Sequence, residues 1–157
     1  MLYAALKTLH VLSIMLWIGG MAFTLFFLRP ALGVLEPPVR LRLMQEVLGR
    51  FFAAVLAMVV LALVTGVWMM ADHAARVAGT GVRIGMPWTW SLMAALGVLM
   101  MAIFGHIRFV LFKRLRNSVA SGAWAAGAAA MAGIRTWVGA NLAIGLAIVV
   151  VVLLAPT

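Results

Sequence analysis

The sequence has no cysteine and only three acidic residues, Glu36, Glu46 and Asp72. Without thiols there is no disulfide framework, no thiolate metal site and no iron–sulfur cluster. With so few acids, neither a paired-carboxylate site nor a serine–histidine–acid set can be assembled. A phosphate-cradling loop is also missing, because the glycines at 79, 81 and 85 precede a proline rather than a helix with Lys-Ser/Thr. Hydrolytic chemistry is therefore not expected. Charge of either sign is scarce, at 10% of 157 residues, whereas 67% are hydrophobic. A water-soluble domain of this length could not cover that much apolar surface, but a bilayer demands no polar coat at mid-height. The composition predicts an integral membrane protein. Basic residues outnumber acidic ones twelve to three, an excess read as an orientation signal and an affinity for anionic lipid rather than for nucleic acid.

A hydrocarbon core of ~30 Å takes ~20 helical residues to cross. Four segments qualify, about 4–28, 51–71, 88–112 and 136–155, rich in Ala, Leu, Val and Met and without interior proline. None shows the short polar–apolar alternation of a membrane β-barrel. The expected fold is all-α: a single transmembrane domain over 1–157, built as a four-helix up-down-up-down bundle. The first apolar run is too long for a cleavable signal peptide, and no basic cluster precedes it.

The connections differ in charge. Residues 29–50 carry Arg29, Arg40, Arg42 and Arg50, and residues 113–135 carry Lys113, Arg114, Arg116 and Arg135 with no acid. Residues 72–87 hold only Arg76 and Arg83. The positive-inside rule puts the first and third connections in the cytoplasm and both termini in the periplasm. Glu36-Pro37-Pro38 reads as a helix start, and Val39, Leu43 and Val47 as one face of a short interfacial helix with Arg42, Glu46 and Arg50 paired at i,i+4. The third connection is expected to break at Ser121-Gly122 and resume from Trp124 into the fourth span. Residues 79–87 read as a flexible outer loop.

Each polar group inside a span needs a reason, because lipid penalises it. His10, Ile14, Trp17, Met21 and Thr24 recur on one face of the first span, and Gly19 and Gly20 admit a close neighbour. His10 is then either a hydrogen-bonding member of a packing seam or a ligand. In the second span Met69 and His73 are spaced i,i+4, as are Asp72 and Arg76. His73 falls at the outer membrane edge, His10 below it on the same side, and Met86 begins the return into the third span. Two imidazoles with thioethers suit Cu(I), although methionine is also a common apolar filler. His106 lies ~16 Å from His10 in depth at 1.5 Å per residue, so one haem iron is not expected to join them. Asn141 is expected to bridge helices, to Thr65 or Ser13.

The segment LHVLSIMLWIGGMAFTLFFLRPAL resembles the opening of the CopD (copper resistance protein D) family of bacterial membrane proteins, in which a His, Trp-x-Gly-Gly and Arg-Pro recur. LVTGVWMM, WSLMAALGVLMMAIFGHIRF and KRLRNSVASGAWAAGAAAMAGIR are similar to later parts of the same group. The resemblance implies an inner-membrane bundle linked to copper uptake or resistance, with His10 as the carried-over ligand and Trp17, Gly19 and Gly20 as its structural companions. The first span also resembles that of HemJ-type protoporphyrinogen oxidases, small four-helix proteins that bind b-type haem. Those carry a lysine at the start of the third span, where this chain has WTWSLMAAL with Ser91 and no lysine. The departure argues against the oxidase activity and leaves haem binding open.

Three functions follow as expectations. The first is copper binding or passage at the outer face through His10, His73, Met69 and Met86. The second is a membrane redox protein holding haem b through His10, with His73. The third is a non-catalytic membrane subunit whose histidines are structural. The expected partners are the bilayer with anionic lipid at its cytoplasmic face, and a second copy of the chain or a periplasmic copper-binding protein.

Overall fold

The computed structural model describes residues 1–79 and 87–155. Among them there is no strand, and four helices are long and apolar enough to cross a membrane: α1 (Leu2–Val34), α2 (Pro37–Gly79), α3 (Trp88–Ala120) and α4 (Trp124–Leu154). Contacts between successive helices run in opposite directions along the chain. Gly20 and His10 of α1 meet Phe51 and the Gly66 region of α2 in that order. His73 and Phe52 of α2 meet Trp90 and Phe112 of α3. His106 and Met100 of α3 meet Trp137 and Gly145 of α4. The molecule is an antiparallel four-helix membrane bundle, as the apolar spans predicted.

All four helices extend past the lipid-length segments read from hydropathy, α2 the furthest. The start at Pro37 holds, with proline in a first turn that has no amide partner to lose. No separate interfacial helix follows, however: α2 continues unbroken for 43 residues to Gly79, about 64 Å against a core of ~30 Å. The reason is a single apolar stripe at helical spacing. Leu41, Met44, Leu48, Phe52 and Val55 are all buried and pass from the connection into the span without a change of phase. Val39 and Leu43, read as the face of that interfacial helix, lie outside this stripe and are exposed. The pairs expected among Arg42, Glu46 and Arg50 do not form among the described residues, where Asp72–Arg76 is the ion pair, at 2.8 Å. Arg42 instead lies over the Trp124 ring, 5.3 Å from its centroid.

The break between α3 and α4 falls where expected. Gly122 turns the chain with φ of +70°, a backbone region that costs other L-residues free energy. Trp124 then starts a helix that continues as the fourth span. The outer loop expected at 79–87 falls, past Gly79, mostly outside the described residues.

The core lies between the helices and towards the end that carries the basic connections. Trp17, Phe104, Phe52 and Phe112 form a chain of edge-to-face rings, with centroids 6.0, 6.0 and 5.4 Å apart and geometry favoured by the ring quadrupoles. Outward faces carry apolar side chains such as Met15, Phe26, Val64 and Leu153, as a lipid-facing surface requires. On α1 the predicted face is the packed one: Trp17, Met21 and Thr24 are buried, joined by Ser13. Gly20 meets the Phe51 ring, but Gly19 points to open space. Of the two glycines only Gly20 admits a neighbouring helix.

Candidate functional site

His10 reaches from α1 to α2. Its Nδ1 lies 3.0 Å from the carbonyl oxygen of Ala62 and 3.0 Å from Thr65 Oγ1. The close approach depends on Gly66, where an added Cβ would stand 3.2 Å from His10 Cε1. The network assigns the imidazole proton. A carbonyl can only accept, so Ala62 requires a donor at Nδ1. The Thr65 hydroxyl donates to the Leu61 carbonyl at 2.6 Å, so towards His10 it too accepts. Nδ1 therefore carries the hydrogen, shared between two acceptors, and in the neutral ring Nε2 keeps a lone pair. That Nε2 is buried and has no hydrogen-bond partner.

A backbone carbonyl that fixes one ring nitrogen as donor and leaves the other without a partner is the usual support of a metal-ligating histidine. It holds the tautomer, orients the ring and raises the basicity of the free nitrogen. In this respect His10 is arranged as a supported ligand would be, with Nε2 the nitrogen left free.

The other expected ligands lie further along α2. Met69 is buried, one turn beyond Thr65 on the same helix face. His73 follows one turn later, with its ring 5.1 Å from that of Trp90 on α3 and its Nε2 also buried and unpartnered. Seven residues separate Gly66 from His73, about 10 Å of helix rise. His10, Met69 and His73 thus form a ladder towards the end of the bundle that holds both termini. Among the described residues no three histidine, aspartate or glutamate side chains gather as a metal-holding group. Met69 and His73 place a thioether and a second imidazole further along α2. Met86 lies outside the described residues.

His106 is brought elsewhere. It is exposed and packs edge-on against Trp137 of α4, with centroids 5.5 Å apart. Asn141 does not make the bridge expected of it. It is completely buried, yet neither its amide nitrogen nor its oxygen has a partner. The candidate partners are engaged elsewhere: Thr65 with His10 and Leu61, and Ser13 with the Leu9 carbonyl at 2.8 Å. Sequence reading found Thr65 but matched it to the wrong helix, and it missed Ala62 and Gly66. The signal for these was the recurrence of small residues, Ala62, Thr65 and Gly66, on the face opposite the only histidine of the first span.

No curated protein and no solved structure matches the chain. The model of the copper resistance protein D (CopD) family matches residues 45–155, from the first third of α2 to the end of α4. With well over half of its length matched, this multi-pass membrane protein belongs to the CopD family.

Proposed function

We propose that the protein takes part in copper homeostasis by capturing Cu(I) as cargo at the end of the bundle that holds both termini. His10 Nε2 is the primary ligand, assisted by the Met69 thioether and by His73. The observation that carries this reading is the His10 network. Both acceptors of Nδ1 lie on α2, which leaves a desolvated lone pair on Nε2 with nothing else to bind. Imidazole with thioether is a soft donor set that favours Cu(I), and the family's description points to the same metal.

Cu(I) competition titration of the purified protein in detergent tests the proposal. One ion per chain is expected, with His10→Ala weakening binding about a hundredfold and His106→Ala leaving it unchanged, on the scale of losing one ligand or its support. Unaltered affinity in His10→Ala refutes the assignment, as does failure of the wild-type protein to retain copper at micromolar levels. The absorption spectrum of the same sample separates the haem reading, since an imidazole-bound haem gives a Soret band that His10→Ala removes or shifts.

A further inference from the structure

The surroundings of His10 have an electrostatic side that the type of ligand does not describe. The rings of Tyr3 and Trp68 meet 6.4 Å apart, and amphipathic aromatic side chains of this kind mark a membrane interface. His10 follows Tyr3 by two turns of α1, about 10 Å deeper. At that depth the chain supplies no counter-charge. It has three acidic side chains in all. Glu36 and Glu46 sit at the other end of α2, the nearer of them about 24 Å of helix rise from Ala62. Asp72 lies outward of Met69 and is taken by Arg76 at 2.8 Å. The nearest charged residue along α1 is Lys7, one turn outward and itself a cation. No cysteine is present to supply a thiolate. The imidazole is neutral while Nε2 keeps its lone pair, and the Met69 thioether carries no charge.

Donor type and charge lead to different expectations here. Imidazole nitrogen binds Zn(II) and Cu(II) well, and Cu(II) stands highest among the divalent first-row ions. Desolvation opposes both, because the cost of taking an ion out of water rises with the square of its charge. For ions of one size that cost is about four times greater for a divalent ion than for a monovalent one. No carboxylate offsets any of it at His10.

We propose that the His10 site selects its ion by charge. It takes the singly charged soft cations Cu(I) and Ag(I), and it rejects Cu(II) and Zn(II) for want of an anionic side chain. This rests on the assignment of His10 as a ligand, and it deepens that reading in two ways. Silver becomes a second cargo, and the divalent ions that imidazole ordinarily binds are kept out.

Equilibrium dialysis with metal analysis tests the proposal on the purified protein in detergent. Cu(I) is held reduced by ascorbate, Ag(I) is added in chloride-free buffer, and Cu(II) and Zn(II) are added without reductant. Binding is scored as the part that His10→Ala removes, in a His106→Ala background that lacks the exposed imidazole. Ag(I) is expected to displace Cu(I) one for one, and Cu(II) and Zn(II) to bind at least about a hundredfold more weakly. Met69→Glu places a carboxylate beside the site, nearer the interface. It should tighten Cu(II) and Zn(II) binding by about tenfold and weaken Cu(I). The wild-type ion series needs no variant to fold and decides the matter by itself. Cu(II) or Zn(II) bound within about tenfold of Cu(I) overturns selection by charge and leaves the copper reading standing. Unchanged divalent affinity in a folded Met69→Glu overturns the missing carboxylate as its cause. If Cu(I) itself is not bound, His10 is not a ligand and both readings fall.

Discussion

The assignment of His10 as a preorganised ligand makes Gly66→Ala an informative perturbation, because it touches the imidazole without removing it. A methyl group at that position would sit 3.2 Å from Cε1 and 3.7 Å from Nδ1 of His10. The first contact is tighter than nearly all Cβ contacts, so the ring must give by a few tenths of an ångström. Nδ1 begins 3.0 Å from both of its acceptors, and hydrogen bonds weaken beyond about 3.2 Å. The shared bond is therefore strained or lost, at about 0.5–1.5 kcal/mol. Against this, alanine is a better helix former than glycine by about 0.8–1 kcal/mol. The two terms nearly cancel, so global stability is expected to change little. Metal affinity has no such compensation, since weakening the group that orients a ligand typically costs ten- to a hundredfold.

The expected result for Gly66→Ala is a loss of about tenfold in Cu(I) affinity with an almost unchanged melting temperature. Gly97→Ala is the control, because a Cβ there meets nothing within 4 Å. Nitrogen-15 NMR of labelled histidine supplies the second measurement, since the two tautomers give different ring shifts. Wild-type His10 should carry its proton on Nδ1. If the proton is found on Nε2, or if Gly66→Ala binds Cu(I) as tightly as wild type, the reasoning about this network is wrong.

Two further substitutions test the packing around the site. Asn141→Leu keeps the branched side-chain shape and removes two buried polar groups without partners, so it should stabilise the bundle by about 1 kcal/mol, the larger methyl groups in a fully buried site costing part of the gain; a melting temperature in detergent several degrees below wild type would refute that accounting. Gly20→Ala should destabilise by about 1–3 kcal/mol, since the new methyl collides with the Phe51 ring. Gly19→Ala, which faces open space, should match wild type in the same unfolding assay.

The number of spans and their antiparallel order were legible from hydropathy, because lipid imposes a length and backbone hydrogen bonding imposes a helix. Where the helices end was not legible in the same way. Arg50 stops the apolar run, but a helix needs only its own carbonyls to continue beyond the hydrocarbon, and α2 is helical from Pro37 onward. The cue was the phase of Leu41, Met44 and Leu48, which matches that of Phe52 and Val55. Reading Val39, Leu43 and Val47 as the face of an interfacial helix missed that phase and produced a separate helix. Likewise the spacing of Arg42, Glu46 and Arg50 allowed two ion pairs, but geometry favoured the Trp124 ring for Arg42. Spacing along one helix states which side chains can meet, not what a neighbouring helix offers instead.

The same limit separates what was readable at His10 from what was not. A lone imidazole in the first span, and its place on the same side of the membrane as Met69 and His73, follow from the sequence and the rise per residue. Which ring nitrogen is available does not, because that is decided by a carbonyl 52 residues away. Asn141 shows the converse error, in which a plausible partner was assigned by depth although Thr65 was already committed to His10. A transmembrane polar residue is therefore best interpreted by asking where each of its donors and acceptors is spent. At Thr65 every one is accounted for within the bundle. At His10 the proton is spent and the lone pair is not, and it is this imbalance, rather than the presence of a histidine, on which the proposal of a ligand role rests.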